Sequence, residues 1–126
     1  METSEPSKKN YSFFHSKKEI KQYEIWTVEW RNNPDNIQLV VIVQSNYLNN
    51  AKHFSYIVCP LVVIGNHRFW ILRLYAGVKG FGEYEILIDQ ITTVSGEALV
   101  EKVDELSDKQ RIQLRRNLGI VLGFTI

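Results

Sequence analysis

Leu39-Val40-Val41-Ile42-Val43 is the stretch that most restricts what this chain can fold into. Five consecutive aliphatic residues, most of them β-branched and none at helical spacing, read as a strand buried on both faces. Gln44-Ser45-Asn46 follows at once, a polar step that takes the strand out of the core and into a turn. A second apolar run, Tyr56 to Ile64, comes after the polar connection Asn46 to His53 and is expected to pair antiparallel with the first. Together they make the central ribbon of a small barrel.

The flanking stretches supply the other strands. Gln22 to Trp30 alternates Tyr23, Ile25, Thr27 and Glu29 against Glu24, Trp26, Val28 and Trp30, a strand with an aromatic-rich face. Arg31 to Asn36 crowds polar residues around Pro34 and reads as a loop. Gly65-Asn66 turns the chain into a strand over Arg68 to Tyr75, Gly77, Gly80 and Gly82 interrupt it, and Tyr84 to Ile91 makes a last strand. Ser107-Asp108-Lys109-Gln110 has the capping-box form, and Leu114, Leu118, Val121 and Leu122 then recur at helical spacing. The expected fold is mainly β (α+β): a small SH3-like barrel of about five to seven strands with a C-terminal helix, in one domain over residues 19–126. Residues 1–18 read as a flexible N-terminal extension, whose Tyr11, Phe13 and Phe14 are apolar enough to dock on the barrel or on a second copy of the chain.

Composition narrows the function. A chain of 126 residues can bury most of its apolar surface without metal or disulfides. Its one cysteine, Cys59, permits no internal disulfide, so a reducing cytoplasm is the expected compartment. Neither a secretory leader nor a membrane-spanning run is expected. The net charge of +1 hides a segregation: no acid occurs between Asp35 and Glu83, a span that holds Lys52, Arg68, Arg73 and Lys79 with His53 and His67. Such a field attracts a polyanion, although chance segregation of surface charge produces the same pattern. Enzyme motifs are scarce. Gly77 to Gly82 lacks the Lys-Ser/Thr ending of a phosphate loop and suits a hairpin. His15, His53 and His67 never stand at metal-ligand spacing, so neither a metal nor a cofactor is expected. Cys59 reads as a small core residue. Trp26, Trp30 and Trp70 fit either a core or a base-stacking surface, and Arg115-Arg116 either a basic contact or a solvated helix face.

Four stretches then carry a resemblance to the MazF/PemK toxins of toxin–antitoxin pairs. Tyr23-Glu24-Ile25-Trp26 resembles that family's opening Gly-Asp/Glu-Ile-Trp/Tyr strand, with Tyr23 in place of the glycine. Val40 to Asn46 is similar to its Val-Leu-Val-Ile-Gln-Asn-Asp strand end, and Ile88 to Val94 to its Leu-Glu-Gln-Ile-Arg-Thr-Ile segment. Val103 to Gly123, with Leu106-Ser107-Asp108, resembles its closing Gly-x-Leu-Ser-Asp/Glu helix. The resemblance spans roughly residues 20–124, in order and at matching spacing. It implies a homodimer that cleaves single-stranded RNA without metal and is neutralised by a cognate antitoxin peptide. The substrate's 2′-hydroxyl would attack the adjacent phosphorus, and the protein would supply a base, an acid and positive charge.

Two departures bear on that chemistry. The resembled family's catalytic Arg-Pro aligns with Gln38-Leu39, and its catalytic Thr/Ser aligns with Val62. A neutral amide cannot replace an arginine opposite a dianionic transition state, and Val62 keeps the threonine shape without the hydroxyl. The candidate catalytic cations are therefore Arg31, His67, Arg68 and Arg73. The candidate RNA-binding residues are Gln38, Gln44, Asn46, Lys52, His53, Asp89 and Gln90. Two alternatives stand beside the ribonuclease: a catalytically degenerate binding module, and a gyrase poison of the related CcdB branch, whose C-terminal ending Leu122 to Ile126 faintly resembles.

Overall fold

The computed structural model describes residues 18–29, 37–51, 54–64 and 72–124. These residues form seven strands and two α-helices: β1 (Glu24–Glu29), β2 (Ile37–Ile42), α1 (Asn46–Asn50), β3 (Ser55–Val63), β4 (Leu74–Val78), β5 (Gly82–Ile86), β6 (Thr92–Ser95), β7 (Leu99–Glu105) and α2 (Asp108–Leu122). The strands make one antiparallel sheet in the order β4-β5-β3-β2-β1-β7, with β6 also paired to β3. Trp30, the 31–36 loop and the first half of the expected 68–75 strand, Trp70 included, lie outside the described residues.

The ribbon forms as expected, with Leu39 opposite Leu61, Val41 opposite Cys59 and Ile42 opposite Val58. Strand alternation divides β2 between two cores. Leu39 and Val41 join Ile25, Cys59, Leu61, Ala76, Val78, Ile86, Ile88, Leu106 and Leu114 inside the curl. Val40 and Ile42 join Trp26, Val28, Tyr56, Val58, Val94 and Leu99 on the other face. Trp26 is thus a core residue, and Cys59, wholly buried, has its thiol pushed up to about 12, by burial first and then by the charge of Asp89. That thiol stays protonated and unreactive at neutral pH.

The expected last strand, Tyr84 to Ile91, is broken. After β5 the chain makes a 3₁₀ turn at Ile88–Gln90 before β6 begins. The break has a topological cause: Leu61 to Val63 pair with β5, whereas Ser55 to Val58 pair with β6, and the turn carries the chain around the corner between them. The Leu87 N–H donates to the Pro60 carbonyl (2.9 Å), which holds the corner to β3.

Two local features explain details of the sequence. Tyr23 has φ 77°, a left-handed conformation that costs a non-glycine residue about 1–2 kcal/mol, at the position where the resembled family carries glycine. Its ring recovers part of that cost by packing on the inner core, with the Arg111 guanidinium 5.2 Å above it. Glu24, buried beside it, accepts hydrogen bonds from the Lys21 N–H and from Trp26 Nε1 (both 2.9 Å) and lies 3.4 Å from Lys102 Nζ.

The capping box is present: Ser107 Oγ accepts from the Gln110 N–H, and the Gln110 side chain accepts from the Ser107 N–H. Gly123, at φ 80°, closes the other end of α2 with the Phe124 N–H bonded to the Gly119 carbonyl. Leu114 anchors the helix, while Leu122, expected on the packed face, is half exposed. Ser107→Ala should cost about 1 kcal/mol, read as a lower urea midpoint at unchanged m-value.

Candidate functional site

A groove of about 300 Å³ opens at one end of the curl, lined by Gln38, Leu39, Pro60, Leu61, Val62, Val63, Phe81 and Tyr84. Its position follows from the ribbon register. Leu39 faces Leu61, so one further step sets Gln38 beside Val62, the two positions aligned with the resembled family's catalytic pair. The β4–β5 hairpin brings Phe81 to the same end, its N–H donating to the Val78 carbonyl (2.9 Å). The Lys79 N–H donates to Asp104 Oδ2 (3.0 Å) and ties that hairpin to β7. Strand β1 leaves at Glu29, β2 enters at Ile37 opposite it, and β3 leaves at Val63, all at this end. The joining stretches hold Arg31, His67 and Arg68, which lie outside the described residues.

Arg73 stands on a neighbouring flank. Leu74 pairs with Ile86, which pairs with Leu61, so Arg73 sits two strands, about 10 Å, across from β3. Its Nε lies 3.2 Å from Asp89 Oδ1, with the two side chains 12% and 23% exposed. Both atoms are buried without a well-aligned hydrogen bond, so the pair is a charge contact. Gln90, next to Asp89, is exposed. Pro60 lines the groove and also holds this corner through Leu87, whereas Arg73, Asp89 and Gln90 are not among the groove's lining residues.

Gln44 and Asn46 are elsewhere. Six residues of extended chain, about 20 Å, separate Gln38 from Gln44, which puts the second pair at the opposite end of β2. Gln44 is 4% exposed and its amide is spent internally. Its Nε2 donates to Asn49 Oδ1 (2.9 Å), and its Oε1 accepts from the Ile57 N–H (3.3 Å). Asn46 Oδ1 accepts from the Gln22 N–H (2.7 Å) and from Asn49 Nδ2 (3.1 Å). Gln44, a candidate RNA-binding residue, is thus buried with its amide engaged: where the buried strand turns, its backbone needs polar partners, and this amide cluster provides them. Lys52 and His53 lie outside the described residues. Sequence reasoning missed Phe81 and Tyr84, whose signal was their place beside a glycine-bounded hairpin.

Among the described residues, no group of three or more His, Cys, Asp or Glu could hold a metal ion, and no helix is long and apolar enough to cross a membrane.

An antiparallel sheet curled on itself, with a closing helix packed on it, is the fold of the MazF toxins. The chain belongs to the PemK-like, MazF-like toxins of type II toxin–antitoxin systems, whose family model matches residues 21–122. Solved structures agree on the fold. An endoribonuclease in complex with its cognate antitoxin, from a mycobacterial species, superposes with TM-score 0.69 at 14% identity, covering 85% of this chain and 98% of its own. MazE–MazF from Deinococcus radiodurans gives 0.68 at 11% identity, covering 84% and 97%. The Mycobacterium tuberculosis toxin MazF-mt6 gives 0.66 at 14% identity, covering 79% and 96%. No curated protein sequence matches the chain.

Proposed function

We propose that this chain is the toxin of a type II pair and cuts single-stranded RNA, with an antitoxin peptide as its inhibitor and a homodimer in the cytoplasm as its working form. The observation that carries the reading is the groove at the strand ends, in a chain of this family and with the fold of proteins named endoribonucleases. In this reaction the substrate's 2′-hydroxyl attacks the adjacent phosphorus and the P–O5′ bond breaks. A base takes the 2′ proton, an acid returns one to the leaving 5′ oxygen, and a cyclic phosphate remains. Positive charge must stand by the equatorial oxygens. Gln38 and Val62 supply neither charge nor hydroxyl, so these roles pass to Arg31, His67, Arg68 and Arg73.

The test is incubation of purified protein with single-stranded RNA in a chelator. Cleavage leaving 2′,3′-cyclic ends is expected, with Arg31→Ala or Arg68→Ala each slowing it about 100-fold, the cost of losing one transition-state contact. Intact RNA at micromolar folded protein, together with unimpaired growth on expression, would overturn the ribonuclease. That result would favour the second reading, a module that binds without cutting, which Gln38 and Val62 at the paired positions support.

A further inference from the structure

We infer that the groove is plugged from within the chain: the Phe13-Phe14 pair of the N-terminal extension folds back along the outer face of the sheet and seats its rings over Gln38 and Val62, against Phe81.

Three observations support it. The first is a buried row with one uncovered end. The β2–β3 register puts Ile42 opposite Val58, Val40 opposite Pro60 and, one step on, Gln38 beside Val62, all on the outer face. Val40, Ile42 and Val58 have no exposed surface, whereas Gln38 is exposed and Val62 is 40% exposed. With Val63 and Phe81, also exposed, this open end forms the groove, whose eight lining residues include no acid, base or histidine. An apolar ring suits such a floor, and a phosphate would lack a counter-ion there.

The second is the course of the chain before β1. Residues 18–22 run as a strap on that same face, with Ile20 buried in the outer core beside Val40 and Ile42. Gln22 fastens one end near the exit of β2: its Nε2 donates to the Val43 carbonyl (3.0 Å) and its N–H to Asn46 Oδ1 (2.7 Å). Lys18 fastens the other, its Nζ donating to the carbonyls of Leu99 (2.6 Å) and Gly96 (3.0 Å). Leu99 pairs with Val28, which pairs with Gln38. The strap therefore arrives at the groove's end of the sheet, two strands, about 10 Å, to one side.

The third is pattern and reach. Lys18 and Ile20 turn to the barrel while Glu19 and Lys21 are exposed, and the same alternation carried upstream turns Phe14 inward. Phe14 and Phe13 stand four and five residues before Lys18, so about 13–18 Å of extended chain is available to cross the gap. A segment tethered this closely meets the groove at an effective concentration on the order of millimolar, which favours it over a second copy at micromolar concentration.

The experiment is paramagnetic broadening in the full chain. Cys59 is buried, so a nitroxide introduced through Ser12→Cys labels one site. The amide signals of Val62, Val63 and Phe81 should broaden, while those of Tyr47 and Leu48 at the other end of β2 stay sharp. Phe13→Ser with Phe14→Ser should restore the groove signals, and the spectra themselves verify that the variant folds. Sharp groove signals in the labelled chain, or broadening that survives the two serines, would overturn the inference. Broadening of an isotope-labelled chain by a separate spin-labelled copy would assign the plug to a second copy and overturn it too. Where the chain cuts RNA, the serine variant should cut about tenfold faster, as for a groove open a tenth of the time; an unchanged rate counts against the plug. Intact RNA with broadened groove signals refutes the ribonuclease and leaves the plug standing.

Discussion

Leu114→Ala should destabilise the protein by about 3 kcal/mol, within the range for emptying a fully buried leucine site. Leu114 has no exposed surface and packs with Leu106 and Ile88 in the inner core, where α2 closes the curl. The half-buried Leu118 and Val121 flank it on the same face and cannot collapse far into the space, because Gly119 and Asn117 are themselves buried against the barrel. Chemical denaturation should show a lower midpoint with an unchanged slope. A loss below about 1 kcal/mol would mean that α2 rests on the barrel without sealing it. The same truncation at Ile120, half exposed on the opposite face, should be nearly neutral.

The second large effect is expected at Arg73. Arg73→Met should cost about 3 kcal/mol, because it leaves the mostly buried Asp89 carboxylate without its cation. Arg73→Met with Asp89→Asn should recover most of that loss, since no uncompensated charge remains and the two side chains keep their volume. A double-mutant cycle on urea unfolding measures the coupling directly. Equal stability of Arg73→Met and the double variant would show that solvent, rather than Arg73, balances the Asp89 carboxylate. The cycle also separates structure from chemistry: if the double variant folds well but cleaves RNA poorly while Asp89→Asn alone cleaves normally, Arg73 acts on the substrate and not only on Asp89.

Much of the framework was legible in the chain because the relevant physics is local. Leu39 to Ile42 had to be a doubly buried strand, since its residues are aliphatic without a break and β-branching suits a pleated surface. Ser107 and Gln110 had to start a helix, because each satisfies the other's backbone donor. The edge elements were less visible. Leu99–Glu105 carries Glu101, Lys102, Asp104 and Glu105, and a strand paired on one side at the margin of a sheet can keep such residues in water. Ile86-Leu87-Ile88 continues an apolar run and reads as uninterrupted strand, yet the chain must turn there because β3 exchanges β5 for β6.

The candidate site divides in the same way. The family resemblance, laid on the sequence, picked out Gln38 and Val62 as neutral occupants of positions where the resembled family carries arginine and threonine, since a missing charge or hydroxyl is visible once the residues are aligned. It could not tell that Gln44 is consumed inside the fold while Gln38 is open, because both are glutamines at the ends of the same strand. Nor could it join Arg73 to Asp89 or carry Phe81 to the mouth of the groove. Local preference and residue chemistry were written in order along the chain. Which amides are spent, which cation is balanced and which ring meets the groove were decided by strand register and sheet curvature, and those exist only once distant segments have packed.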